Sequence, residues 1–154
     1  MTVTSIQFRR ATPDDVPAIV ALIADDQLGA TREDPGPPLH PDYTTAFDAI
    51  GADPNQLLAV ADDAGQIAGC LQLTFIPGLS RRGALRGQIE AVRIAASHRG
   101  RGLGHDFMTW AIGQCRERNC RLVQLTTDKT RPEAHAFYER LGFTASHEGM
   151  KLKL

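Results

Sequence analysis

Residues 88–110 read QIEAVRIAASHRGRGLGHDFMTW, and the fold turns on how this stretch is read. Ile89, Val92 and Ile94 form a β-prone apolar run. A short polar segment leads from it into Arg99-Gly100-Arg101-Gly102-Leu103-Gly104, and an amphipathic helical pattern begins at once after the glycines. Strand, glycine-rich turn and helix is the layout of an anion cradle. The first N–H groups of a helix have no partner within it and point, with the positive end of its dipole, at whatever lies before them. Glycines let a phosphate approach that backbone closely, and Arg99 and Arg101 add fixed charge.

Spacing separates the kinds of cradle. Gly100, Gly102 and Gly104 run G-x-G-x-G, which is not the G-x-G-x-x-G of a dinucleotide site, and no Gly-Lys-Ser/Thr ending marks a nucleoside-triphosphate loop. R-x-x-G-x-G does fit, at Arg99, Gly102 and Gly104. In these residues the sequence resembles the GNAT superfamily of N-acetyltransferases, whose (Q/R)-x-x-G-x-(G/A) motif grips the pyrophosphate of acetyl-CoA. Farther on, residues 134–143 read AHAFYERLGF. They resemble the superfamily's later motif, A-x-x-x-Y-x-x-x-G-F, in which a helix carries a tyrosine toward the thioester sulfur. The two motifs stand in the superfamily's order, and the resemblance runs from Leu57 to the C-terminus. The first third is compatible with it but carries no motif.

The resemblance implies acetyl-CoA as cosubstrate and no metal. It sets Arg99, Gly100, Arg101, Gly102, Leu103, Gly104 and His105 around the diphosphate, and the backbone of Val92, Arg93 and Ile94 against the pantetheine amides, like an added strand. Many members carry asparagine where this chain has Arg131, which would instead approach a CoA phosphate. His98 and His105 flank the turn, and solvent exposure is the default for a lone histidine. Within the strand the alternation slips, since Ile89 and Val92 are three apart and Val92 and Ile94 two apart. A β-bulge would produce that slip.

Glu90 occupies the position where several members carry a general base. An amine of lysine type, with a pKa of about 10.4, is mostly protonated at neutral pH, and only its neutral form attacks a thioester. A carboxylate near the reference value of about 4.3 is a weak base for that step, so Glu90 would need a raised pKa or an ordered water. The alternative is an exposed strand residue or a salt-bridge partner. Tyr138 is the candidate general acid, because a phenol near about 10 can donate to a departing thiolate near about 8.5. The alternative for Tyr138 is packing. A backbone N–H at or near Val92 would stabilise the oxyanion.

The remaining sequence supports one ordinary globular domain, residues 1–154, with 42% hydrophobic and 23% charged residues. A net charge of −1 argues against nucleic acid or an anionic membrane as the main partner. No apolar segment has the length of a membrane span, and residues 1–10 lack the basic start and apolar run of a leader, so a cytoplasmic protein is expected. The three cysteines fit reduced thiols, and Cys115 lies on an apolar helical stripe, which makes it a core residue.

Residues 6–9 alternate as a strand, and Thr12-Pro13-Asp14-Asp15 starts a helix that buries Val16, Ile19, Val20 and Ile23. Residues 31–41 read as an exposed loop, and Tyr43 to Ile50 as a short helix. In the resembling family this region shapes the acceptor pocket, so Arg32, Glu33, Asp34, His40 and Tyr43 are substrate-side candidates or simply a solvated loop. Residues 57–61 and 66–76 are strands joined by a hairpin turn at Asp62-Asp63-Ala64-Gly65, with Arg81, Arg82 and Arg86 in the next loop. Those arginines either solvate the turn or meet a carboxylate or phosphate on an acceptor. The helix after Gly102 buries Leu103, Phe107, Met108, Ala111, Ile112 and Cys115. Residues 121–127 form a further strand, a capping box of Thr130 and Glu133 opens a fourth helix, and residues 145–154 alternate as a final strand.

The expected architecture is α/β in the α+β sense. About six to seven strands make a central, mostly antiparallel mixed sheet with a V-shaped splay, flanked by about four helices. The expected activity is direct acetyl transfer from acetyl-CoA to the primary amine of a small molecule. The competing readings are a non-catalytic acyl-CoA sensor or interaction module of the same fold, and an enzyme that acetylates a protein or peptide amine. Dimers are frequent in the resembling family, so a homodimer is one expected state.

Overall fold

Period-two alternation builds most of the sheet in chain order. The computed structural model describes residues 5–154, so the part of the leader reading that rests on residues 1–4 lies outside the described residues. Strands β1 (Gln7–Arg10), β2 (Gln56–Asp63), β3 (Gln66–Ile76), β4 (Arg86–Ile94) and β5 (Leu122–Gln124) lie side by side in that order. The first four are mutually antiparallel, and β5 runs parallel to β4. Helices α1 (Val16–Ala24), α2 (Pro41–Ala52), α4 (Leu103–Glu117) and α5 (Pro132–Arg140) flank the sheet, and α3 (Ser80–Gly83) is a single turn.

The alternation sorts each strand's side chains onto two cores. Leu57, Ala59 and Ala61 of β2 join Leu71 and Leu73 of β3 against Leu103, Phe107, Met108, Ala111 and Cys115 of α4. Val60 and Cys70 face the other way, with Ile19, Leu22 and Ile23 from the α1 side and Phe47 of α2. The α4 stripe is therefore the one expected from the sequence, except that Ile112 is only partly buried. All three cysteines are free thiols. Burial pushes the Cys115 thiol up to about 12, as suits a packing residue rather than a nucleophile.

Strand β4 has two unlike halves. Arg86, Gly87 and Gln88 pair with Leu122, Val123 and Gln124, and beyond them β5 ends, so the rest of β4 has β3 as its single neighbour. Gln124 fastens the paired half by donating to Gln88 Oε1 at 3.0 Å and accepting from Arg86 Nη1 at 3.2 Å. The expected splay follows from this short pairing. The bulge is present as well: β3 and β4 lose register between Cys70 and Gln72, where Ala91 has a φ of 53°. Cys70 Sγ donates to the Ala91 carbonyl at 3.7 Å.

Several boundaries differ from the sequence expectation. The described residues form five strands rather than six or seven, because β5 stops at Gln124 and residues 145–154 pair with nothing. Alternation makes a strand only where an edge and a core receive it. In the tail Met150, Leu152 and Leu154 stay exposed. Arg86 belongs to β4 and not to the preceding loop. The capping box at Thr130 is absent: the Asp128 carboxylate accepts from both the backbone N–H and the hydroxyl of Thr130, and α5 starts later, with Arg131 as its N-cap. No helix among the described residues is long and apolar enough to cross a membrane.

Candidate functional site

The helix start after β4 is laid out by glycine conformations. Ala96–His98 forms a short 3-10 turn, Gly100 and Gly102 follow with φ of 76° and 81°, and α4 begins at Leu103. A Cβ at either glycine would meet open space, so it is the left-handed backbone and not crowding that calls for glycine there. Gly102 is the N-cap and offers no side chain to the N–H groups of the first turn. Arg101 and His105 are exposed beside these N–H groups. Arg99 is also exposed, and its Nε donates to the Ile94 carbonyl at 3.0 Å. Uncapped amides, open glycine backbone and two exposed cations suit a diphosphate.

His98 corrects an expectation. Instead of lying exposed beside the turn it is buried, with Nε2 2.9 Å from Asp63 Oδ2 and Nδ1 2.8 Å from Ser97 Oγ. It ties the approach to the cradle onto the end of β2.

The splayed half of β4 leads into this turn. Val92, Arg93 and Ile94 are half-buried, while Glu90 is exposed and engages no ion pair among the described residues. The Val92 carbonyl accepts from Arg93 Nη1 at 2.9 Å, so guanidinium groups, not a strand, engage the carbonyls of Val92 and Ile94. Each carbonyl has a second lone pair, and a further donor can share it.

Helix α5, which follows β5 in the chain, reaches this turn. A Cβ on Gly104 would lie 3.6 Å from Phe137 and 3.7 Å from Ile94, so the turn, the end of β4 and α5 meet at that point. Tyr138 packs edge-on against Phe137 and Phe143. Its hydroxyl hydrogen-bonds no other group among the described residues. Burial pushes the phenol pKa up, against the opposing pull of the Arg93 and Arg131 charges.

Arg131 is engaged from an unforeseen direction. Its Nη2 lies 2.8 Å from Asp26 Oδ2, and Arg93 Nη2 lies 3.0 Å from the same oxygen. Nothing in the motif reading pointed to Asp26. The sequence does carry a local signal, an Asp-x-x-Gly step just past the end of the first helix, and the Gly29 N–H donates to Asp26 Oδ1.

Of the acceptor-side candidates, Glu33, Asp34 and Tyr43 are brought together: Tyr43 Oη donates to Glu33 Oε2 and accepts from the Asp34 N–H, each at 2.8 Å. Arg32 lies 3.8 Å from Glu33, and His40 caps α2 through the Asp42 N–H. Arg81 and Arg82 are exposed in α3. Their carbonyls accept from Arg121.

Comparison with known proteins gives a consistent picture. Residues 21–143 match the Acetyltransferase (GNAT) family. The chain is 28% identical to an aminoalkylphosphonate N-acetyltransferase of Salmonella typhimurium over 92% of its own length and 86% of that protein's. It is 32% identical to glucosamine 6-phosphate N-acetyltransferase 1 of Oryza sativa subsp. japonica, covering 88% of this chain and 84% of the relative. A crystal structure described as a transcriptional regulator from Bacillus halodurans C-125 superposes with a TM-score of 0.95 at 46% identity, covering 97% of this chain and all, 100%, of the other.

Proposed function

Because the chain belongs to the Acetyltransferase (GNAT) family, we propose that it transfers an acetyl group directly from acetyl-CoA to the primary amine of a small molecule. The observation that carries this reading is the meeting of three elements at Gly104: the open end of β4, the uncapped start of α4, and the helix bearing Tyr138. Acetyl-CoA supplies the activated acetyl group. Its diphosphate has the N–H groups from Leu103 to His105 and the cations of Arg99 and Arg101, and its pantetheine arm has the unpaired edge at Val92 to Ile94.

The proposed roles follow from solvent access and charge. Glu90, exposed on β4, takes the acceptor's proton through water. Tyr138 keeps its own proton at neutral pH because burial favours the neutral phenol, and it gives that proton to the departing thiolate. The relatives named for an aminoalkylphosphonate and a sugar phosphate support an acceptor that joins an amine to a phosphonate or phosphate.

One observation favours a second reading, an acyl-CoA sensor without turnover: the structure at 46% identity is described as a transcriptional regulator. Thiol release from acetyl-CoA against aminoalkylphosphonates, amino sugars and their phosphates, and amino acids decides between the two. Turnover of any amine by the wild type, lowered about 10²-fold in Tyr138→Phe with acetyl-CoA affinity kept, is the expected result. Binding without turnover of any acceptor supports the sensor.

A further inference from the structure

Among the described residues, the open half of β4 and the start of α5 are joined by one ionic link, and it runs through Asp26. Arg93 stands on β4 beyond the bulge, and Arg131 is the N-cap of α5, the helix that follows β5 in the chain. Both side chains meet Asp26 Oδ2, at 3.0 and 2.8 Å. The second oxygen, Oδ1, is taken by the Gly29 N–H. With a side chain only 18% exposed, Asp26 is thus held on three sides. The turn that presents it is strict about its glycine, since a Cβ at Gly29 would collide with the Ile23 carbonyl oxygen. Arg93 has little freedom of its own, with Nη1 on the Val92 carbonyl and Nε buried without a partner.

We propose that Asp26 is a positioning residue for acetyl transfer, strapping the end of α1 across the mouth of the splayed strands and fixing the Arg93 and Arg131 guanidinium groups relative to the Tyr138 hydroxyl. The proposal rests on the reading of Tyr138 given above. Two consequences follow from the geometry. The strap sets the separation of the β4 backbone and the α5 phenol, on which the reaction geometry depends. Its carboxylate also offsets two cations that act on that phenol, one from β4 and one from the α5 N-terminus; on α5 itself His135 and Glu139 pair with each other at the surface. Removing the Asp26 charge therefore favours the phenolate and moves the phenol titration to lower pH.

The test compares Asp26→Asn, Asp26→Glu and Tyr138→Phe with the wild type, using whichever amine the acceptor panel identifies. Thermal melts correct each rate for the folded fraction. For Asp26→Asn the expected result is a kcat lower on the order of 10²-fold with acetyl-CoA KM nearly unchanged, and partial recovery in Asp26→Glu. The alkaline limb of its pH–rate profile should move to lower pH. The phenol is also followed without any acceptor, by ultraviolet titration of each protein against its own Tyr138→Phe counterpart, and Asp26→Asn should titrate earlier. An Asp26→Asn protein that melts earlier but keeps its kcat per folded molecule and an unmoved phenol titration overturns the proposal, leaving Asp26 a stability residue. Full turnover by Tyr138→Phe overturns the underlying reading of Tyr138, and the strap's role in transfer with it. Loss in Tyr138→Phe but none in Asp26→Asn overturns the strap alone.

Discussion

The two halves of β4 show how one strand can be locked into a sheet along part of its length and left open to a ligand along the rest. From Arg86 to Gln88 it is paired on both sides, Gly87 is buried against α4, and Gln124 locks the register through two side-chain hydrogen bonds. From Glu90 to Ile94 it is paired on one side, bulged at Ala91, and its carbonyls meet arginine side chains instead of a neighbouring strand. Backbone polar groups must find partners. The half that gives up its strand neighbour is the half where an extended ligand can supply them. The candidate site lies where the sheet stops pairing, next to a half of the strand that is paired on both sides.

Perturbing the open half should have the largest effect. Gly102→Val forces a β-branched residue into a left-handed backbone at the helix start, so acetyl-CoA affinity should fall on the order of 10²-fold by calorimetry, and strain of about 1–3 kcal/mol should lower the melting temperature by several degrees, with binding measured well below the melt. Unchanged affinity would remove the cradle from the account. Glu90→Gln should lower turnover by roughly 10-fold to 10²-fold and alter the shape of the pH–rate profile. A profile of the same shape and height would show that Glu90 moves no proton.

The paired half should respond in the opposite sense. A Cβ on Gly87 would collide with Cys115 Sγ, so Gly87→Ala should cost about 1–3 kcal/mol of stability, seen as a lower melting temperature, while turnover well below the melt stays at the wild-type level. A loss of turnover in the folded variant would mean that the two halves are not separable.

The smallest expected effect concerns pH. Burial alone would raise the Asp26 carboxyl, but the Gly29 N–H and the Arg131 and Arg93 guanidinium groups outweigh it and hold the pKa down at about 2, from an ordinary 3.8. A depressed carboxyl stabilises the fold above its unfolded value and ceases to do so as pH falls through its folded value. The stability advantage of wild type over Asp26→Asn should therefore be constant above about pH 5 and shrink between about pH 4 and pH 2. A constant difference across that range would show that the carboxylate charge contributes nothing.

The spine of the fold was legible because its signals are local. The hairpin at Ala64-Gly65, the α4 stripe and the slip between Ile89 and Val92 each follow from spacing along one stretch of chain, and each has its counterpart in the structure. What the sequence concealed depends on pairing across distance. Residues 145–154 alternate as a strand would, yet alternation cannot show whether an edge will receive it, and the tail stays unpaired. Thr130 and Glu133 have capping-box spacing, but Asp128 competes for Thr130. His98 looked solvent-exposed because its partner Asp63 lies 35 positions away, at the end of another strand. Asp26 was invisible for the same reason, since Arg93 and Arg131 reach it from separate elements. The motifs that mark the candidate site could be read from the chain, whereas the side chains that hold those motifs in place required the fold.

The most direct measurement is calorimetric titration of the wild-type protein with acetyl-CoA, followed in the same preparation by thiol release on adding an aminoalkylphosphonate or an amino sugar phosphate. Saturable binding at one site per chain and release of thiol with at least one acceptor are the expected results. A folded protein that takes up no acetyl-CoA would contradict the proposed function, because the open half of β4 and the uncapped start of α4 would then not be a cofactor site.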